Sequence, residues 1–268
     1  MTSARTGLLL AAAAAAACAR GLGERPSAPV APPRSATLEE VRAAYDAYCN
    51  GISTISASGD LDVRDQRTGK SQKLGIRLLA ARGGRLYIKG SVAIVTALEL
   101  SSDGARFWFQ VPSKKTVWTG NNAAGAQSER DEAPYFALRP GDVVPAFLPE
   151  PLKPLPGEVL VFEADRESFS LALARLAEGA GRVRRRVFLR RESLEWSGSR
   201  SFDEQGELTS EVSVAGWSDG RPRQVRIERP VEGYSAAFAL EKLEANVRVP
   251  ERAFVPRSPE GYKVIEVP

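Results

Sequence analysis

Histidine is absent from all 268 residues, and cysteine occurs only twice, at Cys18 and Cys49. The first absence removes the usual general base and the commonest metal ligand, and excludes any serine triad built on imidazole. The second leaves one possible disulfide at most, so a disulfide framework is not the source of stability. No Gly-rich phosphate loop, zinc-ligand spacing, EF-hand loop or nucleophile elbow occurs, and no apolar run reaches the roughly 20 residues a membrane-spanning helix needs. Nor is there an excess of one charge sign. Thirty-seven basic residues face 33 acidic ones for a formal net charge of +4, which is weak evidence for an anionic partner. Carboxylate pairs survive this elimination, since glycoside hydrolysis needs only two acids at the right separation. Of the candidates, Asp60 and Asp62 share a strand face that reads as solvent-facing, and Glu241 with Glu244 carries no further signal. The chain therefore reads as a non-enzymatic protein that calls for no cofactor and no metal.

What is present begins at the N-terminus. Arg5 supplies a positive start, Leu8 to Ala17 is a short apolar run, and Cys18 closes it after small residues. Two readings stand. In one, residues 1–17 are a lipoprotein signal peptide and Cys18 carries a lipid anchor, which leaves Cys49 without an intramolecular partner; in the other, an ordinary secretory signal is cut near Ala17. Residues 18–36 are rich in Pro, Ala and Gly without periodicity and suit an extended tether. The residue after Cys18 is Ala19; Asp there would resemble the inner-membrane retention signal of diderm bacteria, so the expected address is the outer membrane, facing the periplasm.

Without residues 1–17 the chain keeps about 250 residues, enough for one large all-β domain or two small ones. Thr37 and Glu40 form a capping box, and Leu38, Val41, Ala44, Tyr45 and Tyr48 recur at helical spacing, which predicts an amphipathic helix over residues 37–50 with Cys49 buried on it as a small apolar residue. From Gly51 onward short apolar runs alternate with turn signals such as Thr68-Gly69, Gly83-Gly84, Asp103-Gly104, Gln205-Gly206 and Asp219-Gly220, the pattern of an antiparallel meander. Ala105, Phe107, Phe109 and Val111 share one strand face, as do Phe169, Leu171 and Leu173, so one face of the sheet must be buried. Residues 121–157 break the rhythm: the stretch is proline-rich and carries Phe136, Leu138, Val143, Val144, Phe147 and Leu148, which need a surface to cover. It reads as a lid or plug. The run RVRRRVFLRR at 182–191 is the densest charge in the chain. It suits an exposed strand better than a site for lipid phosphates or an acidic protein, and nucleic acid is not expected because no stacking aromatics interleave with the arginines.

Residues 85–112, including Glu99, Leu100, Asp103 and Gly104 followed by Phe107, Trp108 and Phe109, resemble the LolA/LolB family of bacterial lipoprotein carriers. The resemblance extends over residues 37–268: the helix first, the long strands, the Pro-rich insertion at 134–152, and a closing segment with Phe254 and Pro259-Glu260-Gly261-Tyr262. It implies a mainly β fold, a curved antiparallel half-barrel with an N-terminal helix and a short helical lid over an apolar cavity that accepts acyl chains. The cavity residues it points to are Leu98, Leu100, Phe107, Phe109, Phe136, Phe147, Phe169, Leu171 and Leu173. Cys18 brings the chain nearer the membrane-anchored LolB-like branch, whose exposed membrane-probing residue would correspond to Val92 or Ile94, although both also fit strand core. A polar cavity rim would fall at Arg82 or Arg85. The implied partners are membrane lipid through the anchor, lipid or lipoprotein acyl chains, and a periplasmic carrier or envelope complex. The other reading of the same pattern is a docking lipoprotein whose cavity is filled by its own side chains.

Overall fold

The computed structural model describes residues 34–122, 138–177, 180–255 and 260–267. Cys18, the leader, the first part of the tether, Phe136 and residues 123–137 of the insertion lie outside the described residues. Helix α1, Leu38–Gly51, starts as its sequence dictates: the Thr37 hydroxyl accepts from the Glu40 amide at 3.2 Å, and the Glu40 carboxylate accepts from the Thr37 amide at 2.8 Å. It buries Val41, Tyr45 and Cys49, one side chain per turn. Burial pushes the Cys49 thiol up to about 11, so it behaves as a small apolar group.

Among the described residues fourteen strands follow: β1 Thr54–Asp65, β2 Ser71–Ala81, β3 Arg85–Val92, β4 Val95–Asp103, β5 Arg106–Val111, β6 Thr116–Asn121, β7 Glu158–Ala164, β8 Ser168–Ala177, β9 Ala180–Arg190, β10 Trp196–Phe202, β11 Leu208–Ala215, β12 Gln224–Arg229, β13 Tyr234–Ala245 and β14 Lys263–Glu266. They form one curved, unclosed sheet in the order β14-β6-β5-β4-β3-β2-β1-β13-β12-β11-β10-β9-β8-β7. The architecture is thus two meanders, β1 to β6 and β7 to β13, sewn together where β1 pairs with β13 over Ile55 to Asp65. The pairing is antiparallel except at β14, which runs parallel to β6 from Lys263 opposite Thr116 to Glu266 opposite Thr119. This short strand covers the edge that β6 would otherwise present to other chains.

Register shifts bend the sheet. One lies at Ser58/Gly59 in the β1–β13 seam, another between Trp196 and Gly198. At Gly59 a Cβ would stand 2.1 Å from the Ala239 carbonyl oxygen, so only glycine lets the two backbones close there. The turns Gly83-Gly84 and Asp103-Gly104 stack on each other: a Cβ on Gly104 would lie 2.2 Å from the Gly83 oxygen. Asp103 holds its own turn, Oδ1 accepting from the amides of Ala105 and Arg106 at 2.8 Å each.

The arginine run falls on β9 and its neighbours as cross-strand ion pairs. Arg184 binds Glu158 through two nitrogens at 2.7 and 2.9 Å, which holds the Glu158 carboxyl down to about 2; Arg186 meets Glu163 at 2.9 Å, and Arg200 meets Glu211 at 2.9 Å. Arg185 keeps the parity of Val187 and Leu189 and stands opposite Leu173, so plain alternation carries it to the inner side of the sheet, with Nη2 3.4 Å from the Tyr45 hydroxyl.

Candidate functional site

Alternation along the strands gives the sheet an apolar inner face. Leu61 and Val63 of β1, Leu78 of β2, Ile88 of β3, Leu98 and Leu100 of β4, Leu171 of β8 and Val187 of β9 have no measurable exposure. Phe109 is 2% exposed and Phe169 and Leu173 are each 1% exposed, while Phe107 is half-buried against the same cluster. Of the nine cavity positions expected from the sequence, the eight within the described residues therefore meet in or against one hydrophobic cluster, Phe147 from the lid side included.

Among the described residues, two helices cover this face. α1 contributes Val41, Tyr45 and Cys49, and its Tyr48 ring stands 5.6 Å from Trp196 and 5.8 Å from Trp217. The insertion contributes α2, Pro140–Phe147, which buries Val143, Val144, Ala146 and Phe147. Phe147 meets Phe238 of β13 edge to face, with ring centres 5.1 Å apart. Pro140 suits the first helical turn, where no amide donor is needed, but Pro145 removes a donor inside the helix, and α2 ends two residues later with the Leu148 amide on the Val144 carbonyl at 2.7 Å. The connection from β6 to β7 joins opposite halves of the sheet, so α2 crosses the inner face instead of extending an edge.

Polar ties hold α2 at both ends. At its C-terminal end the Tyr45 hydroxyl donates to the Glu150 carbonyl at 2.9 Å, and Arg82 donates to the carbonyls of Ile52 at 3.1 Å, Pro149 at 3.3 Å and Cys49. One guanidinium thus joins the end of α1 to the residue pair that follows α2. Arg85, by contrast, points to the C-terminal segment, pairing with Glu251 at 2.6 Å and lying 5.4 Å over the Phe254 ring. At the N-terminal end of α2, Asp142 accepts from Arg229 Nη1 at 2.8 Å and from the Tyr234 hydroxyl at 3.0 Å. Glu232 accepts from the other side of the same guanidinium, and Arg139 approaches Glu232 at 3.6 Å. Burial raises the Asp142 carboxyl above the usual range against the pull of Arg229 and Tyr234. None of Asp142, Arg229, Glu232 or Tyr234 was legible as a group in the sequence. The one local signal is an acid, Asp142, inside an otherwise apolar helix.

Val92, Ile94 and Val95 lie at the β3–β4 hairpin, 50%, 98% and 66% exposed, with Ala93 in the left-handed region at φ 51°. They form an apolar tip on the surface. The outer face is different in character. A cleft of about 480 Å³ there is lined by Tyr87, Lys89, Glu99, Trp108, Gln110 and Arg252 among others, and a trough of about 400 Å³ holds Asp60 and Asp62 with Lys73 and Arg226.

No family model matches the chain, and no curated protein matches its sequence. Solved structures do match its fold. A DUF1329 family protein from Desulfovibrio piger is similar with a TM-score of 0.52 at 15% identity, over 80% of this chain and 97% of that one. A LolA superfamily protein from Nitrosomonas europaea is similar with a TM-score of 0.51 at 9% identity, over 83% of this chain and 99% of that one. A domain described as an outer membrane lipoprotein-sorting protein, from Vibrio parahaemolyticus, gives 0.50 at 15% identity over 80% and 94%. The fold is therefore a mainly β, LolA-like half-barrel with its inner face covered by helices.

Proposed function

We propose that this protein is an envelope lipoprotein that binds lipid acyl chains, or the acyl chains of other lipoproteins, in the hollow of its half-barrel, and serves lipoprotein or lipid trafficking to the outer membrane. The observation that carries this reading is the cover: α2 is short, contains Pro145, and screens a contiguous apolar face that none of the described strands closes. Each methylene moved from water onto such a face contributes about 0.8 kcal/mol, so a displaced lid and an acyl chain exchange one apolar cover for another without catalysis. The LolA superfamily and lipoprotein-sorting neighbours support the same reading. In the membrane-anchored, LolB-like form of the proposal, Cys18 holds the lipid anchor and the Ile94 tip touches the bilayer during transfer. No enzymatic step is proposed.

The test is native mass spectrometry of the full chain carrying Cys18→Ser, so that no anchor of its own fills the hollow, after incubation with lipids and lipopeptides. The expected result is a lipid-sized adduct that is lost in Phe107→Asp and Phe109→Asp variants whose circular dichroism is unchanged. A second reading has its own support in the complete burial of Leu98, Leu100 and Leu171 under the helices: a docking protein whose hollow is filled by its own side chains. A mass that stays free of adducts under every condition would favour it and sink the carrier proposal.

A further inference from the structure

Arg229 ends β12 and Tyr234 begins β13, and the two stand opposite each other in the antiparallel register. Counting in twos from buried Val225 and Ile227 brings Arg229 to the inner face; Tyr234 shares that face with Ala236 and Phe238. Glu232 engages Nε and Nη2 of the guanidinium, the former at 3.1 Å, and so sets its plane. That orientation leaves Nη1 aimed beside the Tyr234 hydroxyl. The two donors converge on the two oxygens of a single carboxylate, Oδ1 at 2.8 Å and Oδ2 at 3.0 Å, and that carboxylate is Asp142. The donors belong to the sheet, whereas Asp142 belongs to α2. Side-chain exposure is 14% for Arg229 and 10% for Asp142, so the pair sits out of bulk water at the end of the apolar face.

We propose that Arg229 and Tyr234 form a receptor for the anionic headgroup, carboxylate or phosphate, of an amphiphile whose acyl chain enters the hollow, and that Asp142 fills this receptor while α2 is closed. The inference rests on the carrier reading and names its ligand class. When α2 lifts, Asp142 leaves two donors without acceptors beside the uncovered Phe238 ring. An anion with two acceptor oxygens satisfies both donors. A neutral headgroup does not offer the same pair of charged acceptors, and unpaired buried donors are what gives such sites their discrimination. Headgroup and chain positions are contiguous, because Tyr234, Ala236 and Phe238 follow one another along one face of β13. Arg139 and Asp142 travel together with α2, so the lid removes one charge of each sign when it moves, and the receptor keeps Arg229 with its orienting partner Glu232.

The experiment titrates the full chain with Cys18→Ser against three amphiphiles of one acyl length: oleate, a lysophospholipid with a phosphate monoester, and uncharged monoolein. It is repeated with Asp142→Asn, Tyr234→Phe and Arg229→Gln. The expected result is that oleate and the phosphate monoester bind at least tenfold more tightly than monoolein, and that Asp142→Asn, whose side chain leaves with the lid, changes all three affinities alike. Tyr234→Phe, which keeps the ring, should lower the anion-to-monoolein affinity ratio, as should Arg229→Gln if it folds. The stronger of the two anions identifies the headgroup as carboxylate or phosphate. Equal binding of all three amphiphiles, with ratios unmoved by Tyr234→Phe, would overturn the receptor and leave the carrier reading standing. Binding of none of them by any variant would overturn the carrier reading itself.

Discussion

α1 and α2 cover the same apolar face by different means. α1 is 14 residues long, opens with a complete capping box, and buries a side chain at each turn. α2 is 8 residues long, has no side-chain cap at Arg139, carries two prolines, and is held at its ends by Arg82 and by the Asp142–Arg229–Tyr234 contact. A helix with its own local stability behaves as part of the core. One held by tertiary contacts alone, with a charge buried against it, is a cover that can leave.

Truncating the apolar anchor of each helix is the strongest way to break this contrast. Tyr45→Ala should cost about 3–5 kcal/mol of unfolding free energy, the range for large-to-small changes of buried aromatics, measured by urea denaturation. Phe147→Ala should cost clearly less, because α2 can detach while the sheet stays folded. Equal losses would show that the two helices are one cooperative unit.

Removing Arg82 sharpens the comparison from another side. Arg82→Ala should raise hydrogen exchange across residues 140–148 by at least tenfold with a smaller change in α1, since only α2 lacks caps of its own. Similar increases in both helices would mean that α1 also depends on the tie. Thr37→Ala should cost about 1 kcal/mol and loosen the first turn of α1 without altering exchange in α2. A change in α2 would contradict the local nature of that cap.

The smallest expected effect is the pH response of the lid. The folded-state pKa of Asp142 is raised chiefly by burial, so the closed lid binds a proton more readily than the open one. The contribution to closure is then fully present below the ordinary carboxylate range and is lost as pH rises through the raised value. Exchange protection of α2, corrected for the intrinsic pH dependence of exchange, should fall as pH rises through that raised value. Asp142→Asn should abolish that trend; a trend that persists in the variant belongs to another group.

How much of this was readable in advance differs from residue to residue. The capping box announced α1 within one residue of its start, because capping is a contact across three positions. Alternation at Phe107, Phe109 and Val111, and at Phe169, Leu171 and Leu173, gave the correct inner face because strand geometry repeats every two residues. The insertion's apolar stretch was visible as something that needed a surface, and α2 lies on one. Arg185 was only an interruption of a pattern. It nevertheless keeps the parity of Val187 and Leu189 and faces inward, and what no local period encodes is its partner there, the Tyr45 hydroxyl.

The amino-acid sequence by itself determined the local periods, the turns and the sidedness of the strands, since these are set by interactions among residues a few positions apart. Which strands became neighbours at the β1–β13 seam, the parallel docking of β14 on β6, and the meeting of Asp142 with Arg229 and Tyr234 were decided only in the tertiary structure. Those last contacts join residues 87 and 92 positions apart. Bringing them together requires the sheet to curve and the insertion to cross it, so their partnership is a property of the closed fold and of no shorter segment.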